Sequence, residues 1–131
     1  MKNKILVRVR YYEVDSMGYL HHGNYPGLFE LGRTELLREN GLSYREMEEK
    51  GFILPVRKIN IEYFQPAHYD ELISIETELL KFEGIRLEFK YTVRNENNNK
   101  LCEGYTTLVF ADGKTGKPTR APKFFLDVIS N

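Results

Sequence analysis

The hydrophobic period of this chain changes twice, and that order leaves few ways to fold it. Ile5, Val7, Val9 and Tyr11 alternate with Leu6, Arg8 and Arg10, the rhythm of a half-buried strand. Tyr25, Leu28, Phe29, Gly32, Leu36 and Leu37 then recur at spacings of three and four, so they mark one face of a helix. After Gly51 the period returns to two. Ile59, Ile61 and Tyr63 form one apolar series, Ile73, Ile75, Thr77 and Leu79 a second, and Ile85, Leu87, Phe89, Tyr91 and Val93 a third. Leu101 to Ala111 is neutral or apolar on both faces, which predicts a strand inside a sheet rather than at its edge.

Punctuation residues sharpen the boundaries. Asn24 is placed as a helix N-cap, with Pro26 tolerated in the first turn and Gly41 where a left-handed C-cap belongs. Gly32 lies within the apolar face. A missing side chain there lets a helix approach a sheet closely, at some cost in helix propensity. Ser43-Tyr44-Arg45-Glu46 reads as a capping box opening a short helix that ends at Gly51. Pro122 to Asn131 carries Phe124, Phe125, Leu126 and Val128 and is expected to be a short terminal helix. One strand, a long helix, a short helix and four strands joined by tight turns imply an antiparallel sheet with one face covered, an α+β domain. The 131 residues fit one domain spanning 1–131.

Charge narrows the partners. Lys plus Arg and Asp plus Glu both count 19, and no basic run exceeds two residues. Nucleic acid held through its phosphates requires a positive excess, so none is expected. Cys102 is the only cysteine, which excludes an internal disulfide and a cysteine-based zinc cage and fits a reducing compartment. No apolar run is long enough for a signal peptide or a membrane span. The expected location is the cytoplasm.

The chemistry concentrates in Tyr12-Glu13-Val14-Asp15-Ser16-Met17-Gly18-Tyr19-Leu20-His21-His22-Gly23-Asn24-Tyr25, between the first strand and the long helix. A carboxylate, Asp15, sits among apolar and aromatic groups. Gly18 and Gly23 allow a sharp turn or a close approach to a ligand. A helix start follows at once, with unsatisfied N–H groups and the positive end of its dipole. Acyl-ester or thioester hydrolysis needs this combination: a carboxylate to attack or to activate water, and amides to hold the oxyanion. On residues alone Asp15 is equally a loop aspartate accepting backbone hydrogen bonds.

Asp15-x-x-Gly18-x-x-x-His22-x-Asn24-Tyr25, followed by Phe29-Glu30 and Arg33, resembles the signature of hotdog-fold thioesterases. The resemblance is to the 4-hydroxybenzoyl-CoA thioesterase type and the related YbgC type of acyl-CoA thioesterase. Ile61-x-Tyr63-x-x-Pro66-Ala67-x-x-x-Glu71-Leu72 and Thr115-Gly116-Lys117-Pro118-x-Arg120-x-Pro122 extend it over nearly the whole chain. It implies a sheet wrapped around one long helix and hydrolysis of acyl-CoA to free acid and CoA. Asp15 is then the nucleophile or general base, and the backbone N–H at His22 polarises the thioester carbonyl. Tyr25 lines the acyl pocket, and Gly18, Gly23 and Asn24 join it as substrate-binding positions. No cofactor is implied, because CoA is part of the substrate. A homo-oligomer is implied, a dimer at least and a tetramer by family habit. Relatives often carry Tyr or Trp at the position of His21 and a small residue at Met17, so the acyl group does not transfer.

His22 has a side chain that can act or merely pack. His21, His22 and His68 do not make a metal site, since neighbouring residues in an extended loop point apart and no second carboxylate cluster accompanies them. Glu30 and Arg33 sit three apart on the helix and are expected to pair at a surface or interface, with a buried Glu30 as the alternative. Arg57, Lys58, Lys90, Arg94, Arg120 and Lys123 are cations available to CoA phosphates by charge alone. Rival functions are a thioesterase for acyl carrier protein, which requires a basic docking patch, a hotdog dehydratase, and a non-catalytic acyl-CoA-binding hotdog.

Overall fold

Five antiparallel strands in the order β1-β4-β5-β6-β3 carry the structure, a computed structural model that describes residues 1–130. They are β1 (Lys2–Arg8), β3 (Val56–Tyr63), β4 (Leu72–Glu83), β5 (Arg86–Arg94) and β6 (Lys100–Val109). The long helix α1 (Tyr25–Glu39) lies across one face, against β4, β1 and β5. A short helix α2 (Tyr44–Glu49), a two-stranded sheet of β2 (Phe52–Ile53) and β7 (Ala111–Asp112), and a terminal helix α3 (Lys123–Ile129) complete it. This is the hotdog arrangement, an antiparallel sheet wrapped on one helix.

The sheet face under α1 follows from strand alternation. Leu87, Phe89, Tyr91 and Val93 on β5 are fully buried and pair in register with Leu108, Thr106, Gly104 and Cys102 on β6. Two glycines set the distance between the layers. A Cβ on Gly32 would lie 2.3 Å from Thr77 Oγ1, and a Cβ on Gly104 would lie 2.3 Å from Phe29 Cε2. Space left by Gly104 lets the Phe29 ring stack on Tyr91 at 4.3 Å between centroids. The Tyr91 hydroxyl stays satisfied under the helix by a 2.6 Å hydrogen bond with Thr106, as buried hydroxyls require.

Helix ends follow local chemistry. Gly41 is left-handed, with φ +80°, and the N–H groups of Gly41 and Leu42 reach back to Arg38 and Leu37, which closes α1. Ser43 Oγ accepts from the Glu46 N–H at 3.0 Å and opens α2.

Several expectations change. The first strand stops at Arg8, and Tyr11 lies in a 3-10 turn (Tyr11–Glu13), 78% exposed. Ile59 and Tyr63 are not core residues, with 40% and 46% exposure. β3 is an edge strand, and α1 lies over β1, β4 and β5, meeting β3 through Tyr25 against Tyr63 at its first turn. The last strand is split at Phe110, and its end leaves to pair with β2. β4 runs four residues past Leu79, because a bulge there restores alternation and turns Phe82 inward. Phe82 then meets Phe125 of α3 at 5.9 Å, and Phe125 meets Phe110 at 4.9 Å. The predicted end of that helix at Asn131 lies outside the described residues. Arg33 does not pair with Glu30. It turns under the helix, 6% exposed, and donates through Nε to Tyr44 Oη at 3.2 Å, while Glu30 faces out. Cys102 is fully buried in the sheet, and burial pushes its thiol up to about 12.

Candidate active site

Between β1 and α1 the chain builds a small hairpin around Asp15. Val14 and Leu20 form a bridge, the Asp15 N–H donates to Tyr19 O at 2.8 Å, and the Gly18 N–H donates to Asp15 O at 3.0 Å. Gly18 has φ +78°, which a side chain rarely tolerates, so its role is the turn. Asp15 Oδ1 accepts from the N–H groups of Met17 (2.9 Å) and Tyr19 (3.2 Å). Its loop-aspartate function and its availability therefore divide between two oxygens. Oδ1 is held, and Oδ2 has no hydrogen-bond partner among the described residues.

Glu13 locks this hairpin to the helix start. Its buried carboxylate accepts from Arg10 N at 2.7 Å and Arg10 Nε at 3.3 Å. Its carbonyl accepts from the His21 N–H at 2.9 Å and from Asn24 Nδ2 at 2.7 Å. Asn24 holds the N-cap position without capping by its side chain, because its amide is committed to Glu13. A 3-10 turn (His22–Asn24) leads into α1. In it the Gly23 N–H donates to His21 Nδ1 at 3.0 Å, which makes that nitrogen the unprotonated one. The Asn24 N–H donates to His21 O. The His22 N–H has no acceptor among the described residues and stands at the positive end of α1.

Asp15, His22 and Tyr25 line one cleft of about 360 Å³, together with Met17, Tyr19, Leu20, Tyr63, Phe64, Gln65 and Pro66. Tyr25 is its floor, 2% exposed. Gly18, Gly23 and Asn24 are adjacent in the chain but do not line it. Tyr63 was not among the predicted site residues, although it stands in the second motif. Its hydroxyl donates to His22 O at 2.9 Å, and its ring meets Tyr25 edge-on at 5.2 Å. Burial holds the Tyr63 phenol above its ordinary value, so it remains a donor at neutral pH. Phe64 and Gln65 carry no sequence signal for the site, and Pro66 only that of the second motif, since their proximity depends on how the turn after β3 folds back.

Three larger clefts of about 500 to 540 Å³ lie elsewhere, one beside Arg33 and Tyr44, one along β1, β4 and β5, and one along α1 from Asn24 to Arg38 beside Glu13. None of them holds Asp15 or His22, so the meeting of the loop carboxylate with the turn that leads into α1, and not size, singles out the cleft at Asp15. Of the six candidate phosphate-binding cations none lines it, and Arg94 is paired with Glu76 at 3.3 Å. His68 Nδ1 is bonded to Glu71 at 2.7 Å. Among the described residues no three metal-ligating side chains cluster, and no helix is long and apolar enough to cross a membrane.

Known proteins match this chain over most of its length. The putative acyl-CoA thioesterase YneP of Bacillus subtilis is 34% identical over 121 residues, 92% of this chain and 88% of that one. The acyl-CoA thioester hydrolase YbgC of Escherichia coli is 33% identical over 117 residues, covering 89% and 87%. The crystal structure of DHNA-CoA thioesterase from Staphylococcus aureus superposes with a TM-score of 0.93 at 32% identity, covering 98% of this chain and 87% of that one. The profile of the thioesterase-like superfamily matches residues 9–129, and with the fold and these relatives it establishes that the chain belongs to that family.

Proposed function

We propose that this protein hydrolyses acyl-CoA thioesters to the free acid and CoA, with Asp15 as the reacting carboxylate. The observation that carries the reading is that Asp15 and the amide-bearing start of α1 face one cleft. Two routes fit. Asp15 Oδ2 takes a proton from water, whose oxygen bonds to the thioester carbon. Alternatively, Oδ2 itself bonds to that carbon, and water later opens the mixed anhydride. In both, the C–S bond breaks, CoA leaves as thiolate, and the charge passing through the carbonyl oxygen is met by the His22 N–H. Carboxylate and amide chemistry cover both steps, so no cofactor is invoked.

The working unit in this reading is a cytoplasmic homo-oligomer, a dimer at least and a tetramer in full. Support comes from β3, an edge strand with Val56, Ile59 and Tyr63 exposed, since natural edges of this kind are covered or blunted. Balanced charge argues against nucleic acid as a partner. The test is thiol release from short, long and aromatic acyl-CoAs by the purified protein. At least one should turn over, and Asp15→Asn should lose about a hundredfold or more, the scale of a positioned acid–base group. A folded Asp15→Asn protein with undiminished turnover removes Asp15 from the mechanism.

A further inference from the structure

The peptide between His22 and Gly23 is held from both sides. Tyr63 Oη donates to its carbonyl at 2.9 Å, from the end of β3 and 41 residues away in sequence. His21 Nδ1 accepts from its N–H at 3.0 Å. The preceding peptide, which carries the His22 N–H, has its carbonyl tied to the Asn24 N–H at 2.9 Å. Peptide planes are rigid, so fixing these two planes fixes the direction of the His22 N–H.

A second consequence is electrostatic. Tyr63 and His22 both line the cleft, and the bond between them engages a carbonyl oxygen at its wall. An uncovered carbonyl there presents a partial negative charge to an oxyanion forming nearby. A phenol proton on that oxygen offsets it, and the offset matters most when the negative charge is greatest. The Tyr63 ring is seated independently, edge-on to buried Tyr25 at 5.2 Å, so removing the hydroxyl leaves the ring in place.

We infer that Tyr63 is a positioning residue for the oxyanion-binding turn, acting through the His22 carbonyl it covers. This rests on the thioesterase reading above. It is tested by Tyr63→Phe, assayed beside wild type and Asp15→Asn on whichever acyl-CoA wild type hydrolyses. One net hydrogen bond is worth roughly a three- to tenfold change, and the whole of it is expected in kcat. KM should stay within about twofold, as for an interaction made in the transition state. Affinity for a thioether analogue, which has a methylene in place of the carbonyl and forms no oxyanion, should not change.

Unchanged kcat in Tyr63→Phe, with Asp15→Asn inactive, overturns this inference and leaves the thioesterase reading intact. A fall in kcat accompanied by a raised KM or weaker thioether binding assigns Tyr63 to ordinary packing of the cleft and also overturns it. Full turnover by Asp15→Asn, or none by wild type, removes the reading beneath it.

Discussion

Gly32→Ala sets two effects of known size against each other. In an exposed helix interior, alanine is favoured over glycine by about 1 kcal/mol. At this position the added Cβ would lie 2.3 Å from Thr77 Oγ1 and 3.2 Å from Ile75 Cγ2. Ordinary contact begins near 3.5 Å, so the first gap must open by about 1 Å and the second by a few tenths. Thr77 is 1% exposed and β-branched, with a stiff χ1, so it cannot swing clear. Overpacking of this kind costs about 1–3 kcal/mol. The net expectation is a loss of about 1 kcal/mol, or about 4 °C in melting temperature for a domain of this size.

Thr77→Ala isolates the cause. It removes the atom that clashes, a hydroxyl that is itself buried without a hydrogen-bond partner among the described residues. In that background only the Ile75 contact remains, propensity should win, and Gly32→Ala should become neutral or stabilising. The double-mutant cycle, read from urea unfolding at constant m, should show about 1–2 kcal/mol of coupling. A Gly32→Ala protein more stable than wild type, or an equal effect in both backgrounds, would refute the claim that this glycine sets the helix-to-sheet distance.

Two further outcomes follow from titratable groups. Cys102 is fully buried with its thiol pushed up to about 12, so in native protein at pH 8 it should resist a thiol reagent and react fully once urea unfolds the chain; fast native labelling would contradict the packing around it. Glu103 is bonded to Lys100 Nζ at 2.8 Å and Tyr105 Oη at 3.0 Å, which hold its carboxyl below the usual range, the lysine contributing most. A folded-state value below the unfolded one, about 4.3, means that its stabilisation is complete above that pH and is lost as pH falls through the folded value. The stability difference between wild type and Lys100→Met should therefore be constant above about pH 5 and vanish in stronger acid; a difference independent of pH would rule out this bond as its source.

Much of the fold is legible because local rules and tertiary demands agree. The face of α1 built from Tyr25, Leu28, Phe29, Gly32, Leu36 and Leu37 is the buried face, and Gly41 closes the helix by the geometry its type predicts. The placement of Leu101 to Val109 inside the sheet also holds, since β6 lies between β5 and β3. β3 misleads because alternation records which residues share a face and not whether anything covers that face. β2 and β7 are two residues each, too short for any period to register. Arg33 reads as a surface cation by type, and the hydroxyls of Tyr44, supplied by α2, and of Tyr91, supplied by β5, make its burial tolerable.

What the amino-acid order determined alone is the long elements and the chemical kit of the loop: a carboxylate, two glycines and a helix start within about ten residues. These are local properties, written in propensity, periodicity and turn chemistry. Tertiary structure decided which members of that kit share a cleft. It spent Asn24 on the Glu13 carbonyl and Gly18 on a left-handed turn, and it brought Tyr63 from the sheet edge to the His22 carbonyl. Such meetings depend on the register of strands distant in sequence and on the distance at which α1 settles on the sheet, and no local pattern encodes either.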